Sequence, residues 1–285
     1  MKEKISPFLK SISESKAIQA QYVKSPCETA ENYNDPLMEE KHEVVKGLVH
    51  KYDNRALIKV SYLCAAHCRF CTRIRQIGNK NGNLTTVDMD NMANYLIENP
   101  QIDDVILSGG DPLYTPHLTT ELLSKLKTID SVKVIRIGTR LPFHSPKSFQ
   151  SKSILKLLDL IDEIGQERPF YILVHIEHPD ELTTETKAVI RQLRQLKVTL
   201  LSQTVFLKGV NDDFEILHQL FRQIYHLGII PYYLYHCDNV KGLERFIGDK
   251  AKEKEIATQL RANLSGIACP LLVEDIENGY GKIPF

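Results

Sequence analysis

Seven apolar runs of strand length recur along this chain, with segments of helical periodicity between them. The runs are ALIKVSYL (56–63), DVILS (104–108), KVIRIG (133–138), FYILVHI (170–176), VTLLSQTVF (198–206), IIPYYLY (229–235) and PLLVED (270–275). The helical segments are VDMDNMANYLIENP, LTTELLSKLKTI, SILKLLDLIDEI, ETKAVIRQLRQLK, FEILHQLFRQIYHLG and KEKEIATQLRANLSG. Strands that alternate with helices build βαβ units and a parallel sheet. Six or seven such units fit a complete or partial (β/α) barrel.

Residues 1–45 are polar and mixed in pattern, with Pro7, Pro26 and Pro36 as interruptions. They read as a helical or irregular lead-in packed on the main domain. Residues 46–285 show no linker, low-complexity tract or repeat, so a single catalytic domain is expected there. A chain of 285 residues, 42% apolar and 25% charged, builds a core without staples. Lys+Arg and Asp+Glu are both 36. That balance gives no sign of a nucleic-acid surface, and an anionic ligand must be held by local groups. MKEKISPFLKSISESK has no apolar core of signal-peptide length, and no window approaches the roughly 18 apolar residues of a membrane span. Half of the six cysteines crowd into one motif, unlike a disulfide framework. The expectation is a cytoplasmic protein in a reducing compartment, with no membrane contact.

A barrel of this type carries its chemistry at the C-terminal ends of its strands. Residues with chemistry fall there repeatedly. Cys64 follows the first run and Gly109-Gly110-Asp111 the second. His175 ends the fourth, Gln203 lies late in the fifth, Asp238 follows the sixth, and Asp275 ends the seventh.

The cysteines Cys64, Cys68 and Cys71 stand in CAAHCRFCTR, spaced C-x3-C-x2-C. Thiolate sulfur suits zinc or iron–sulfur clusters. A structural zinc needs a fourth ligand. Cys237 and Cys269 are solitary, and His67 inside the loop would be cramped. Three buried structural cysteines are a second reading. The third is a [4Fe–4S] cluster held by three thiolates, with one iron left open for a ligand.

C-x3-C-x2-C with Phe70 before the last cysteine resembles the radical S-adenosylmethionine (SAM) superfamily. The resemblance implies that the open iron chelates SAM and that the cluster's electron yields a 5′-deoxyadenosyl radical. It also implies a partial barrel of the radical SAM type, with about six parallel strands. Ser108, Gly109, Gly110 and Asp111 look like the glycine-rich SAM turn. More narrowly, DPLMEEKHEVVKGLVHKYDNRALIKV, CRFCTR, LSGGDPL, VIRIGTRLP, PYYLYHCD and GLERF are similar to the lysine 2,3-aminomutase family, from about Asp35 to Lys282. That resemblance implies three cofactors: the [4Fe–4S] cluster, SAM and pyridoxal 5′-phosphate (PLP). It implies an isomerase that moves the α-amino group of L-lysine to the β-carbon through a PLP imine. A side-chain base cannot remove the unactivated β-hydrogen, so a radical is required; the cofactors supply that chemistry.

The residues follow by position. Lys282, after Asn278-Gly279-Tyr280-Gly281, matches the lysine that holds PLP. Lys51, Tyr52 and Arg55 match the PLP phosphate positions. Arg73 matches the substrate carboxylate site, and Asp238 with Asp275 the substrate's distant ammonium. His175 and Gln203 match strand-end positions near SAM. His178 reads as structural, while Arg136 and Arg140 receive no individual role. The family's zinc-binding extension is absent from these residues, and Phe214 stands where the family has a zinc-ligating cysteine, so no zinc is expected. A terminal Lys-Ile-Pro-Phe is short enough to fold over the site as a lid. The expected partners are an amino acid substrate and a cellular electron donor, with no oligomeric state assigned. The alternatives are an aminomutase for arginine, ornithine or a modified lysine, or a non-catalytic metal-binding protein.

Overall fold

Strands covered on both faces read as continuous apolar runs, and each of the seven runs forms a strand. The computed structural model describes residues 2–28, 33–276 and 281–285. Two short strands come first, β1 (Glu43–Val45) and β2 (Leu48–Tyr52). The seven runs then give β3 (Arg55–Ser61), β4 (Asp104–Gly109), β5 (Val134–Thr139), β6 (Phe170–His175), β7 (Thr199–Val205), β8 (Ile230–Tyr235) and β9 (Leu271–Ile276), and β10 (Gly281–Pro284) follows. One sheet holds all ten in sequence order. β3 to β9 are parallel throughout, seven strands where about six were expected, because β9 joins β8 in parallel like the others. β1, β2 and β10 are added antiparallel.

The expected helices form between the strands: α3 (Thr86–Glu98), α4 (Pro116–Leu126), α6 (Lys152–Glu167), α7 (Thr184–Leu193), α8 (Phe214–His226) and α9 (Lys250–Asn263). Sequence chemistry fixes their starts. Thr85 and Asp88 form a capping box on α3, and Ser151, Thr183, Asp213 and Asp249 cap the N-termini of α6, α7, α8 and α9. Their apolar stripes face the sheet. Ile154, Leu157, Leu158, Ile161 and Ile164 of α6 are buried, each stabilising the packed state by roughly 1.5–3 kcal/mol. The short α5 (Leu141–His144) follows β5.

The sheet curls without closing, with β1 and β10 at its edges. Residues of β2 and of β10 nevertheless line the same cavity. The lead-in holds two short helices, α1 (Pro7–Ser11) and α2 (Lys16–Tyr22), while residues 43–45 already belong to the sheet as β1. This segment straps the cysteine loop. His67 and Arg69 N–H groups donate to the carbonyls of Lys4 and Gln21, and Lys4 Nζ donates to the Cys64 carbonyl at 2.5 Å. Arg69 is fully buried against Glu28. The C-terminal residues form no lid: Lys282–Pro284 pair with β9 from Asp275 to Val273, and the Phe285 ring packs edge-on to His236. Among the described residues no helix is long and apolar enough to cross a membrane.

Candidate active site

All the candidate residues line one cavity of about 610 Å³, which extends from the loops after the strands down to the starts of β3 and β4 at Arg55 and Asp104. Cys64, Cys68, Cys71, Arg73, Ser108, Gly109, Gly110 and Asp111 stand there with His175, Gln203, Asp238 and Asp275, and with Lys51, Tyr52, Arg55 and Lys282. Asn278, Gly279 and Tyr280, read as the run before Lys282, lie outside the described residues.

The three thiols sit in the loop after β3, which ends at Ser61, two residues earlier than its apolar run. Burial raises all three. Cys64 lies well above the usual thiol range, and Cys68 is pushed up to about 11. Half-buried sulfurs of this kind become thiolates when a cation joins them, so the donor set fits a metal group. Among the described residues no three His, Cys, Asp or Glu side chains converge as ligands of a single ion. A four-iron cluster is a larger body than a single ion, so Cys64, Cys68 and Cys71 could hold one without converging on a point. His67 also lines this cavity, and its Nδ1 is taken up by the Lys2 carbonyl at 2.9 Å.

The glycine turn is bound to β3 and the cysteine loop. Gly110 N–H donates to the Ser61 carbonyl at 2.5 Å, and Asp111 N–H to the Leu63 carbonyl at 2.9 Å. A Cβ on Gly110 would come within 2.4 Å of the Leu63 oxygen, so only glycine fits this approach. With both N–H groups engaged, the turn has carbonyl oxygen to offer a ligand's ammonium. Asp111 is buried, which raises its carboxyl, while the Arg140 N–H and the Thr139 hydroxyl oppose that rise. His175 is lowered to about 4, first by burial and then by Arg140, so it is neutral at physiological pH. Its strand neighbour Gln203 donates to the Tyr235 hydroxyl at 2.8 Å.

Arg73 is held more firmly than sequence suggested. Nε and Nη2 donate to the two oxygens of Glu39 at 2.8 and 2.5 Å, and Nη1 donates to Ser108 Oγ at 3.1 Å. Glu39 is buried, which would raise its carboxyl, yet the Arg73 guanidinium outweighs burial and holds it low. Glu39 carried no motif of its own: it lies in DPLMEE, 34 residues from Arg73.

Lys282 and Asp275, both on the cavity wall, are opposite one another in the β9–β10 register, Nζ to Oδ2 3.2 Å. Asp238 is raised to about 7, first by burial and then by the Asp275 charge, with Lys282 opposing. A Cβ on Gly281 would stand 3.4 Å from Arg55 Nη2 and 3.6 Å from the Tyr52 hydroxyl. The residue before Lys282 thus touches two of the three expected phosphate partners. The Arg55 guanidinium lies 3.9 Å from the Tyr52 ring centroid, and Lys51 Nζ donates to the Leu37 carbonyl at 3.4 Å.

The residues left unassigned also find places. Arg136 pairs with Asp104 at 2.7 Å on the cavity wall. Arg140 reaches Cys68. His178 accepts the Asp180 N–H and caps a short turn, a structural post.

The radical SAM superfamily model matches residues 58–221. The putative L-lysine 2,3-aminomutase of Aquifex aeolicus is 38% identical over 241 residues, 84% of this chain and 64% of that protein. The L-lysine 2,3-aminomutase of Fusobacterium nucleatum is 35% identical over 251 residues, covering 88% of this chain and 57% of that protein. The Escherichia coli L-lysine 2,3-aminomutase is 34% identical over 258 residues, 88% of this chain and 71% of that protein. The chain thus spans less than two thirds of the Aquifex and Fusobacterium proteins. Its fold is shared with a radical SAM methyltransferase from Sphaerobacter thermophilus, at TM-score 0.53 and 16% identity, over 80% of this chain and 68% of that one. From the model match and the extent of these relatives, the chain belongs to the radical SAM superfamily and, within it, to the lysine 2,3-aminomutase family.

Proposed function

We propose that this protein moves the α-amino group of L-lysine to the β-carbon. A radical SAM domain implies a [4Fe–4S] cluster and SAM, and the three half-buried thiols suit the cluster. PLP is the further part of the reading. The cofactors together supply a carbon radical and an electron sink for nitrogen migration. The single observation that carries the proposal is the charge layout of one cavity. Arg73, two residues past Cys71, lines the same cavity as Asp238 and Asp275, whose charges raise one another's cost, and Lys282 Nζ lies 3.2 Å from Asp275 Oδ2.

Each residue then has a task. Glu39 takes two of the five guanidinium N–H groups of Arg73 and Ser108 a third, so two remain for a substrate carboxylate in a fixed orientation. Lys282 provides the amine for PLP, while Lys51, Tyr52 and Arg55 provide cationic and hydroxyl partners for its phosphate. A Lys282 engaged by the cofactor no longer neutralises Asp275. Asp275 and Asp238 are then two carboxylates with no cation, and a substrate ammonium restores the balance. A glutamate side chain would add a third anion, which selects against it.

The experiment is anaerobic incubation of reconstituted protein with SAM, PLP, a reductant and a panel of lysine, arginine, ornithine and glutamate, with products resolved by mass spectrometry. β-Lysine from lysine is the expected result. Turnover of another amino acid without lysine turnover would sink the substrate assignment, and a protein without cluster or turnover would sink the activity.

The raised Asp238 gives a pH dependence. Its carboxyl holds a proton more tightly folded than unfolded, so its contribution to stability is full at low pH and lost as pH rises through about 7. An ammonium ligand favours the charged form, so the sign for binding is opposite. KM for lysine is expected to fall about tenfold from pH 6 to pH 8, and Asp238→Asn to flatten that slope. A KM profile that is already flat in the unsubstituted protein would contradict the assignment.

A further inference from the structure

We propose that Arg140 raises the reduction potential of the cluster held by Cys64, Cys68 and Cys71, by donating a charged hydrogen bond to the Cys68 sulfur. The inference rests on the cluster part of the reading above and not on the amino acid processed.

Arg140 Nη1 lies 3.1 Å from Cys68 Sγ. Its Nη2 donates to Gln21 Oε1 at 2.7 Å and to Glu181 Oε2 at 2.8 Å. Glu181 is fully buried and is itself fixed by the backbone N–H groups of Glu177 and His178. The guanidinium lies 5.5 Å from the Tyr22 ring centroid and 5.3 Å from that of Phe70. The Arg140 backbone N–H donates to Asp111 Oδ2 at 2.8 Å, which ties the residue to the glycine turn. Three parts of the chain thus aim one cation at one sulfur. Among the described residues no other charged side chain donates to a sulfur of the three cysteines.

Stability does not account for this arrangement. A buried ion pair costs about as much desolvation as it returns, and apolar residues of similar volume do as well or better. Its placement suits electronics. An electron added to the cluster increases its negative charge, and a donor and cation at a ligating sulfur stabilise that state. Arg140 acts through Cys68 and is a positioning and tuning residue, outside the reacting atoms.

The test is a redox titration of the reconstituted cluster followed by electron paramagnetic resonance, without SAM, PLP or amino acid. Removing Arg140 alone strands Glu181, so the main variant is Arg140→Met with Glu181→Gln, which keeps the pocket balanced. It is expected to bind as much iron as the unsubstituted protein. At a fixed potential it should hold about tenfold less reduced cluster, a 59 mV fall for one electron. Arg140→Lys, which keeps the charge but loses the fork, should fall between. An unchanged midpoint in both variants with full iron content would overturn the proposal. So would a variant that melts like the unsubstituted protein but holds no cluster, since Arg140 would then build the site and not tune it. An unsubstituted chain that takes up no four-iron cluster overturns the underlying reading, a result separate from any difference between variants.

Discussion

Lys282→Ala is expected to lose the visible absorbance of PLP joined to a lysine and to cut turnover by on the order of 10³-fold or more. The argument is geometric. Gly281 adopts φ +78 and brings the backbone against Arg55 and Tyr52, and the next residue presents its amine at the cavity wall. The cavity has one other lysine among its described lining residues, Lys51, whose ammonium is engaged with the Leu37 carbonyl. The fold should survive the change. The Lys282 side chain is 34% exposed, and an ion pair that open to solvent contributes about 1 kcal/mol or less. The variant should therefore keep its melting temperature and its cluster signal while it loses the PLP absorbance. Retention of that absorbance in Lys282→Ala, with loss in Lys51→Ala, would move the assignment to Lys51.

Local chemistry was legible in the sequence and long-range pairing was not. C-x3-C-x2-C lies within eight residues, so its meaning needs no tertiary contact. The seven parallel strands carry apolar runs long enough to announce themselves, even where Arg136, His175 and Gln203 line the cavity. β2 reads LVHKY, buried at its first two residues and half-open afterward, and β10 is four residues with a proline. Neither has enough apolar length to signal a strand. Their absence from the sequence reading hid the site's most informative geometry. β10 is what pairs Lys282 with Asp275, residues the resemblance had assigned to separate partners. Glu39 and Arg140 were obscure for a related reason. Each is an unremarkable charge until the fold brings it to Arg73 or to Cys68, from 34 and 72 residues away.

The Arg73–Glu39 pair allows structure and function to be separated. Arg73→Met leaves Glu39 buried without its hydrogen-bonded cation, its side chain 7% exposed and only the Lys59 and Arg75 charges left to offset it, and should cost up to about 3–5 kcal/mol of stability. Loss of activity in that variant alone is therefore ambiguous. Arg73→Met combined with Glu39→Leu removes both charges from the wall and should recover most of the lost stability, measured by denaturant unfolding. It should not recover catalysis. A substrate carboxylate would meet no guanidinium, and kcat/KM for lysine should stay about 10²-fold or more below the unsubstituted value, the worth of a charge-assisted bidentate contact. Glu39→Gln tests the other half of the arrangement. It keeps Arg73 charged but loosens its orientation, so the defect should appear in kcat more than in KM as misalignment of the reacting carbon. Recovery of activity by the apolar double variant would show that the pair only holds the loop after Cys71, and the carboxylate site would have to be sought elsewhere on the wall, which Arg136 also lines.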